Sequence, residues 1–150
     1  MAAYQIDRTN VIVASGTNFT VPTGSAQVGQ AIARLDGKQQ SKGFEFEAQW
    51  QPIGNWQLQA GIAYSNALID ASIQNPQTVG LDLANAPRVS GNFWTRYNFT
   101  TGKLQGLGIG TGVIYVGNAW AGDPTTSVYY NLSGWTRVDT SIYSKWGRYD

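Results

Sequence analysis

Glu45 and Glu47 stand two residues apart in the run Phe44-Glu45-Phe46-Glu47-Ala48-Gln49-Trp50. Successive side chains of an extended chain point to opposite faces, so the two carboxylates share one side and Phe44, Phe46, Ala48 and Trp50 the other. A same-face pair of this kind could divide acid and base work between its members. Solvation alone asks for the same geometry, because charge is costly on a face that meets lipid and natural on one that meets water. Arg96, Arg137, Asp139 and Lys145 also fall on the polar sides of their own runs. Solvated charge accounts for all of them, and no catalytic residue is assigned.

Two further groups invite a chemical reading. Gly106, Gly108, Gly110 and Gly112 alternate with Leu107, Ile109 and Thr111. A phosphate-binding glycine loop follows a strand and opens a helix, whereas this run itself reads as a strand. A face stripped of side chains points instead to close approach of another backbone or to a bend. Trp120, Tyr129 and Tyr130 lie with Asp123 and Pro124 in a loop-like stretch, either as a ligand-contact surface or as an aromatic rim at a membrane interface.

Composition narrows the chemistry. The chain has 150 residues, enough for one domain, with neither cysteine nor histidine. Disulfides and thiol chemistry are excluded, and the usual general base and metal ligand are missing, so no enzyme activity, metal site or cofactor is expected. Net charge is +1, which gives no electrostatic case for nucleic acid. Charged residues make up only 13%, about half the ordinary share, while aromatics also reach 13%.

The elements that must carry these residues are strands. The dyad pattern is clearest where Trp56, Leu58, Ala60, Ile62 and Tyr64 oppose Gln57, Gln59, Gly61, Ala63 and Ser65. Apolar-polar alternation of this kind is the signature of transmembrane β-strands. It predicts strands at 4–13, 40–51, 55–66, 87–99, 105–117 and 134–146. No run of about 18 apolar residues exists, so no transmembrane helix is expected. A mean hydropathy of -0.26 is compatible with a membrane barrel, because alternation hides an apolar band from any window average.

Connections alternate in length. Pro52-Ile53-Gly54 and Thr100-Thr101-Gly102-Lys103-Leu104 are short, whereas 15–39, 66–87 and 117–134 are long and rich in turn formers. Outer-membrane barrels have short periplasmic turns and long extracellular loops, which would run the first strand outward. Trp50, Trp56, Tyr97, Phe99 and Trp146 then gather near the short-turn end as an aromatic girdle. Met1-Ala2-Ala3-Tyr4-Gln5 lacks the basic and apolar regions of a secretory signal, so a segment upstream is missing or the chain is cytosolic.

Several blocks carry a family resemblance. Tyr4-Gln5-Ile6-Asp7-Arg8-Thr9-Asn10-Val11, Ser41-Lys42-Gly43-Phe44-Glu45-Phe46-Glu47-Ala48, and Asn85-Ala86-Pro87-Arg88 leading to Phe93-Trp94-Thr95-Arg96-Tyr97 resemble consecutive parts of the TonB-dependent siderophore receptor barrel. The stretch from Leu107 to Gly117 and Gly134-Trp135-Thr136-Arg137-Val138-Asp139 continue in the same order. The resemblance implies an all-β, antiparallel up-and-down meander of about six strands, a segment of a 22-stranded transmembrane barrel. Residues 1–150 would then be a partial barrel domain lying just before the final two strands, a fragment without plug or closing strands. It further implies a receptor of ferrichrome-receptor type in the outer membrane of a Gram-negative bacterium. Such a receptor binds a ferric siderophore outside the cell and imports it with energy delivered through TonB, its barrel held in outer-membrane lipid. The family's ligand contacts are spread over plug and loops, so Trp94, Arg96, Trp120, Tyr129 and Tyr130 are ligand-binding candidates from position alone.

Two other readings fit the same alternation. One is a small outer-membrane barrel or adhesin without an uptake role, which needs two more strands, with Ala31-Ile32-Ala33-Arg34-Leu35 as a place for one. The other is a soluble all-β binding module whose aromatic face is a buried core.

Overall fold

A computed structural model describes residues 1–14, 33–73, 75–123 and 128–144, with side chains left undescribed at 13, 14 and 33–36. The predicted strands form, and all are antiparallel. They are β1 (Ala2–Ala14), β2 (Ala33–Ile53), β3 (Trp56–Ala71), β4 (Val89–Asn98) and β5 (Leu107–Val116). A short hairpin follows, β6 (Ala119–Gly122) and β7 (Tyr129–Leu132), and then β8 (Trp135–Ser144). One six-stranded sheet has the order β1-β2-β3-β4-β5-β8, and β6-β7 form a separate two-stranded sheet. This is an up-and-down meander with a hairpin inserted before its last strand.

Register joins the apolar residues into continuous rows across the sheet. Ala48, Ala60, Phe93, Val113 and Val138 make one row, and Phe46, Ile62, Gly91, Tyr115 and Thr136 the next. Trp56, Tyr97, Ile109 and Ile142 make a third toward the short turns. A one-residue slip would throw every member to the other face, so these rows fix the pairing. No charged residue interrupts them from Phe44 to Trp50, Trp56 to Tyr64, Val89 to Tyr97, Ile109 to Tyr115 or Thr136 to Ile142.

This face is not a core. Ile142 is 78% exposed, and Val138 and Trp50 are each 65% exposed. Among the described residues the only buried apolar side chains are Ala67 and Ala121. The aromatic face is therefore not, among the described residues, the buried core that a soluble module requires. Within the described residues the eight strands likewise do not make a closed small barrel, because β1 and β8 are the edges of the main sheet there. Ala33-Arg34-Leu35, the suggested start of an extra strand, instead begins β2, while Ala31 and Ile32 lie outside the described residues.

Two elements are longer than the alternation predicts. Beyond Phe44 and Tyr64, β2 and β3 continue as a paired ribbon, Lys42 opposite Asn66 and Gln39 opposite Ile69. At about 3.3 Å per residue the ten residues from 33 to 42 carry it roughly 30 Å past the apolar band. This part of β2 is rich in Lys, Gln and Ser, so main-chain pairing holds it without an apolar stripe. β1 pairs mainly with this outer part, from Ala14 opposite Ala33 to Gln5 opposite Lys42, and reaches the edge of the band where Ala3 faces Phe44 and Ala2 faces Glu45. Of the six predicted strands, five therefore cross the apolar band in the described structure, and β1 flanks the ribbon above it. A bulge between Arg8 and Val11, with Asn10 at φ 57°, shifts the β1 register there.

The short connections are compact. The β2–β3 turn is Gly54-Asn55, one step later than expected, with Ile53 paired to Trp56. Asn55 stitches it to the end of β4, its side-chain amide donating to the Asn98 carbonyl at 3.0 Å and its carbonyl accepting from the Asn98 N–H at 2.9 Å. Between β4 and β5 a 3-10 turn spans Gly102–Leu104. Gly106 belongs to this turn at φ +88°, in the left-handed region that glycine enters without strain, and not to the strand.

Candidate functional site

The candidate residues fall into two groups on different parts of the sheet. Trp94 and Arg96 are two apart on β4 and share its polar face. Their cross-strand rows are Gln49, Gln59, Trp94, Gly112, Asp139 and Gln57, Arg96, Gly110, Ser141. The glycines opposite leave room that neighbouring side chains fill. A β-carbon on Gly112 would overlap the Trp94 ring, and one on Gly110 would lie 2.8 Å from Trp94 Cζ2 and 3.1 Å from Tyr143 Cε2. Both rings lie down over the bare stripe. Where the bare stripe suggested the approach of another backbone or a bend, the space at Gly110 and Gly112 is taken by side chains of β4 and β8.

Arg96 completes this patch. Its guanidinium carbon sits 4.0 Å from the centroid of the Tyr143 ring, a cation–π contact. Its Nε donates to Asn98 Oδ1 at 3.0 Å. Glu45 and Glu47 lie on the same polar face of the sheet, exposed and without an ion pair among the described residues. Arg137 and Asp139 pair with each other on β8 at 2.9 Å. Lys145 and Trp146 lie outside the described residues.

The second group is at the long-loop end. Trp120 on β6 and Tyr129 on β7 stack with centroids 4.8 Å apart and planes at 13°. Both also hold the neighbouring loop: the Tyr129 hydroxyl donates to the Asp82 carbonyl at 2.7 Å, and the Asn85 N–H donates to the Trp120 carbonyl at 2.7 Å. Arg88 clamps the Asp82 carboxylate at 2.7 Å. Desolvation, helped by nearby Asp82, pushes the Tyr129 hydroxyl above its ordinary value of 10.0. Tyr130, the next residue, alternates to the other face of the hairpin and is 53% exposed. The row of Trp94 lies four residues below Val116, where β5 ends, which is about 13 Å along the strand. The structure thus brings together Trp94 with Arg96, and Trp120 with Tyr129, but does not join the two pairs.

Sequence reasoning missed a cavity of about 290 Å³ in the ribbon region, lined by Val11, Ile12, Ile69, Leu83, Ser72 and Thr78 among others. Thr78 is buried and donates to the Asn75 carbonyl at 2.7 Å. It also missed Tyr143 as the seat of Arg96. Neither left a local signal, since both depend on segments distant in sequence.

The apolar face carries its own polar bookkeeping. Trp56 Nε1 donates to Thr95 Oγ1 at 2.8 Å, and Thr95 Oγ1 reaches the Gln57 carbonyl at 3.3 Å. Thr111 Oγ1 bonds the Asp139 carbonyl at 3.1 Å and lies 3.4 Å from Thr140 Oγ1. Polar groups facing hydrocarbon must find partners within the protein, and these do. Aromatics mark both ends of the band: Trp50, Trp56 and Tyr97 at the short turns, Phe44 and Tyr64 toward the long loops. Phe44 and Tyr64 stack at 5.7 Å, and Phe99 packs edge-on against Tyr97 at 5.2 Å. Trp56 to Tyr64 spans about 26 Å along β3, close to the roughly 25 Å height of a barrel's apolar band.

Comparison with known proteins agrees with this architecture. Residues 1–149 match the family model described as TonB dependent receptor-like, beta-barrel. The chain is 28% identical over 145 residues to the ferrioxamine B receptor of Salmonella typhimurium strain SL1344, covering 85% of this chain and 20% of that protein. It is 30% identical over 141 residues to the metal-pseudopaline receptor CntO of Pseudomonas aeruginosa strain UCBPP-PA14, covering 93% and 18%. The ferrichrome outer membrane transporter/phage receptor of Escherichia coli K12 matches at 28% over 152 residues, covering 99% and 17%. Among solved structures, the ferripyoverdine receptor of the Pseudomonas aeruginosa outer membrane superposes with a TM-score of 0.66 at 22% identity, over 94% of this chain and 18% of that one. The chain thus spans about a fifth of the length of the curated relatives it matches, which are named as receptors and transporters and not as enzymes. It belongs to the TonB-dependent receptor family, within the family's β-barrel.

Proposed function

We propose that this chain is part of the wall of a Gram-negative outer-membrane receptor that binds a ferric siderophore outside the cell and imports it with energy delivered through TonB. The observation that carries the reading is the exposed, uncharged apolar face of β2, β3, β4, β5 and β8, on which Trp56 Nε1, Thr95 Oγ1 and Thr111 Oγ1 are hydrogen-bonded within the protein. A surface of this size and continuity is what lipid contact requires. The polar face with Glu45, Glu47, Trp94 and Arg96 then lines the lumen of a 22-stranded barrel whose plug and closing strands come from outside this sequence. The ribbon and the β6–β7 hairpin project outside the cell. Trp120, Tyr129 and Tyr130 on the hairpin, with Trp94 and Arg96 on the wall, are the proposed ligand contacts.

Iron-loaded ferrioxamine B, ferrichrome and a pyoverdine are suitable probes. Outer membranes carrying the intact receptor should bind at least one, and cells should accumulate its radioactive iron only while TonB is present. An intact receptor recovered from the soluble fraction, or uptake indifferent to TonB, would defeat the proposal.

A further inference from the structure

We infer that the lipid-side face carries a site for one phospholipid of the periplasmic leaflet, its acyl chain in a groove beside Trp56, Tyr97 and Ile109 and its phosphate at Lys103. The inference rests on the barrel reading above and adds one particular lipid position to it. Thr95, Thr111 and Thr140 pair across β4, β5 and β8 as a low row. Larger side chains stand on both sides of that row, Trp56, Tyr97 and Ile109 toward the short turns and Phe93 and Val113 toward the long loops. Between them lies a groove of about 460 Å³, lined by Trp56, Thr95, Tyr97, Ile109, Gly110 and Thr111. Clefts of this size hold small ligands.

Chemistry selects a hydrocarbon occupant. Trp56 Nε1 donates to Thr95 Oγ1 at 2.8 Å, Thr95 Oγ1 donates to the Gln57 carbonyl at 3.3 Å, and Thr111 Oγ1 donates to the Asp139 carbonyl at 3.1 Å. With the threonine hydroxyls and the indole N–H engaged inside the protein, a peptide laid in the groove would leave its own backbone groups unpaired. An acyl chain leaves none. In hydrocarbon the gain is van der Waals contact rather than water release, and an unfilled groove forfeits it.

Position selects the leaflet and the headgroup. Phe99 packs edge-on against Tyr97 at 5.2 Å and donates its N–H to the Leu107 carbonyl at 2.8 Å, so β4 and β5 stay joined just beyond the groove. Tyr97 to Phe99 is about 7 Å along the strand. The 3-10 turn Gly102–Leu104 follows at once and exposes Lys103. Lys103 is the only charged residue of the two short connections, 51–55 and 99–106. A single ammonium at headgroup depth, next to a groove for one chain, complements the phosphate of a phospholipid.

The test counts lipid on the intact receptor by native mass spectrometry, in mild detergent, during titration with palmitoyl-oleoyl-phosphatidylglycerol. The wild type should hold one molecule more tightly than any that follow. Ile109→Trp, which fills the groove, should weaken that binding several-fold, and Ile62→Trp, on the same face but away from the groove, should leave it unchanged. Lys103→Gln should weaken phosphatidylglycerol about fivefold and leave dioleoylglycerol, which lacks the phosphate, as it was. Equal binding by wild type and Ile109→Trp overturns the inference, as does an equal loss in Ile62→Trp, which would mean lipid adhering anywhere on the band. Binding indifferent to Lys103→Gln, or dioleoylglycerol held as tightly as phosphatidylglycerol, overturns it too. If Ile109→Trp does not assemble, Tyr97→Ala, which removes one wall of the groove, should weaken binding, and an unchanged affinity there overturns it. A wild-type protein that forms no barrel in bilayers fails the underlying reading instead, before any lipid is counted.

Discussion

Trp56 donates its indole N–H to Thr95 Oγ1 at 2.8 Å across the β3–β4 pair, on the face that carries Phe93, Ile62 and Ile109. In water neither group would need the other. In hydrocarbon each would cost free energy if left alone, so the bond marks the environment that the face is built for. Replacing Thr95 with Val should therefore destabilise the membrane-inserted receptor by about 1–3 kcal/mol, because the indole N–H loses its acceptor. Urea unfolding in lipid bilayers, followed by tryptophan emission, measures it.

Charge on this face should be far more damaging than charge on the other. Ile62→Arg, near the middle of the band, is expected to cost about 2–4 kcal/mol or block assembly. Gln59→Arg, on the polar face of the same strand, should assemble normally. Heat-modifiable migration of the two variants in outer-membrane fractions separates them.

The glycine stripe makes a packing prediction. A methyl group on Gly112 would overlap Trp94 and come 3.0 Å from the Phe93 carbonyl, so Gly112→Ala should displace the ring and destabilise the wall by about 1–3 kcal/mol. Trp94→Ala in the same molecule should recover part of the loss, giving clearly non-additive effects in a double-mutant cycle.

Much of this was legible in the sequence, for definite reasons. The alternation of Trp56 to Tyr64 and of Val89 to Tyr97 gave each strand its lipid-side and water-side faces, because period two is imposed wherever only one face is apolar. The outer ribbon, 33–42 with 65–71, was invisible beyond its first residues, since Lys38-Gln39-Gln40-Ser41-Lys42 carries no apolar stripe and the consecutive Ala67-Leu68-Ile69 breaks the alternation. The β6–β7 hairpin was hidden in turn-forming composition. Arg96 and Tyr143 meet only through the β4–β5–β8 register, so no local pattern could have joined them, and the cavity beside Thr78 depends on loop packing in the same way.

Tyr129 ties the two long loops together, and its removal should loosen both. Tyr129→Phe leaves the Asp82 carbonyl without its 2.7 Å donor, a loss of about 1 kcal/mol, and should speed hydrogen exchange at the Asn85 amide. The hydroxyl is pushed upward in the folded state, so its contribution is complete below the ordinary value of 10.0 and is lost as pH rises through the folded value. Exchange at Asn85 should therefore accelerate at alkaline pH beyond its intrinsic rise in the wild type, and that excess should vanish in Tyr129→Phe.

Asp7 gives the opposite pH dependence. Hydrogen bonds from Gln40 at 2.7 Å and Gln5 at 2.9 Å hold its carboxyl below the ordinary 3.8. Its support of the β1–β2 pairing is present above that ordinary value and fades as pH falls through the lower folded one. Amide exchange along β1 should increase in acid, and Asp7→Asn should flatten the response.

The most direct test of lipid contact is a nitroxide scan along β3, one cysteine at a time from residue 57 to 62, in the intact receptor in bilayers. Accessibility to oxygen should peak at 58, 60 and 62, and accessibility to an aqueous nickel chelate at 57, 59 and 61, in strict period two. A profile without alternation, or one in which the chelate reaches Leu58 and Ile62 freely, would contradict the assignment of this face to lipid.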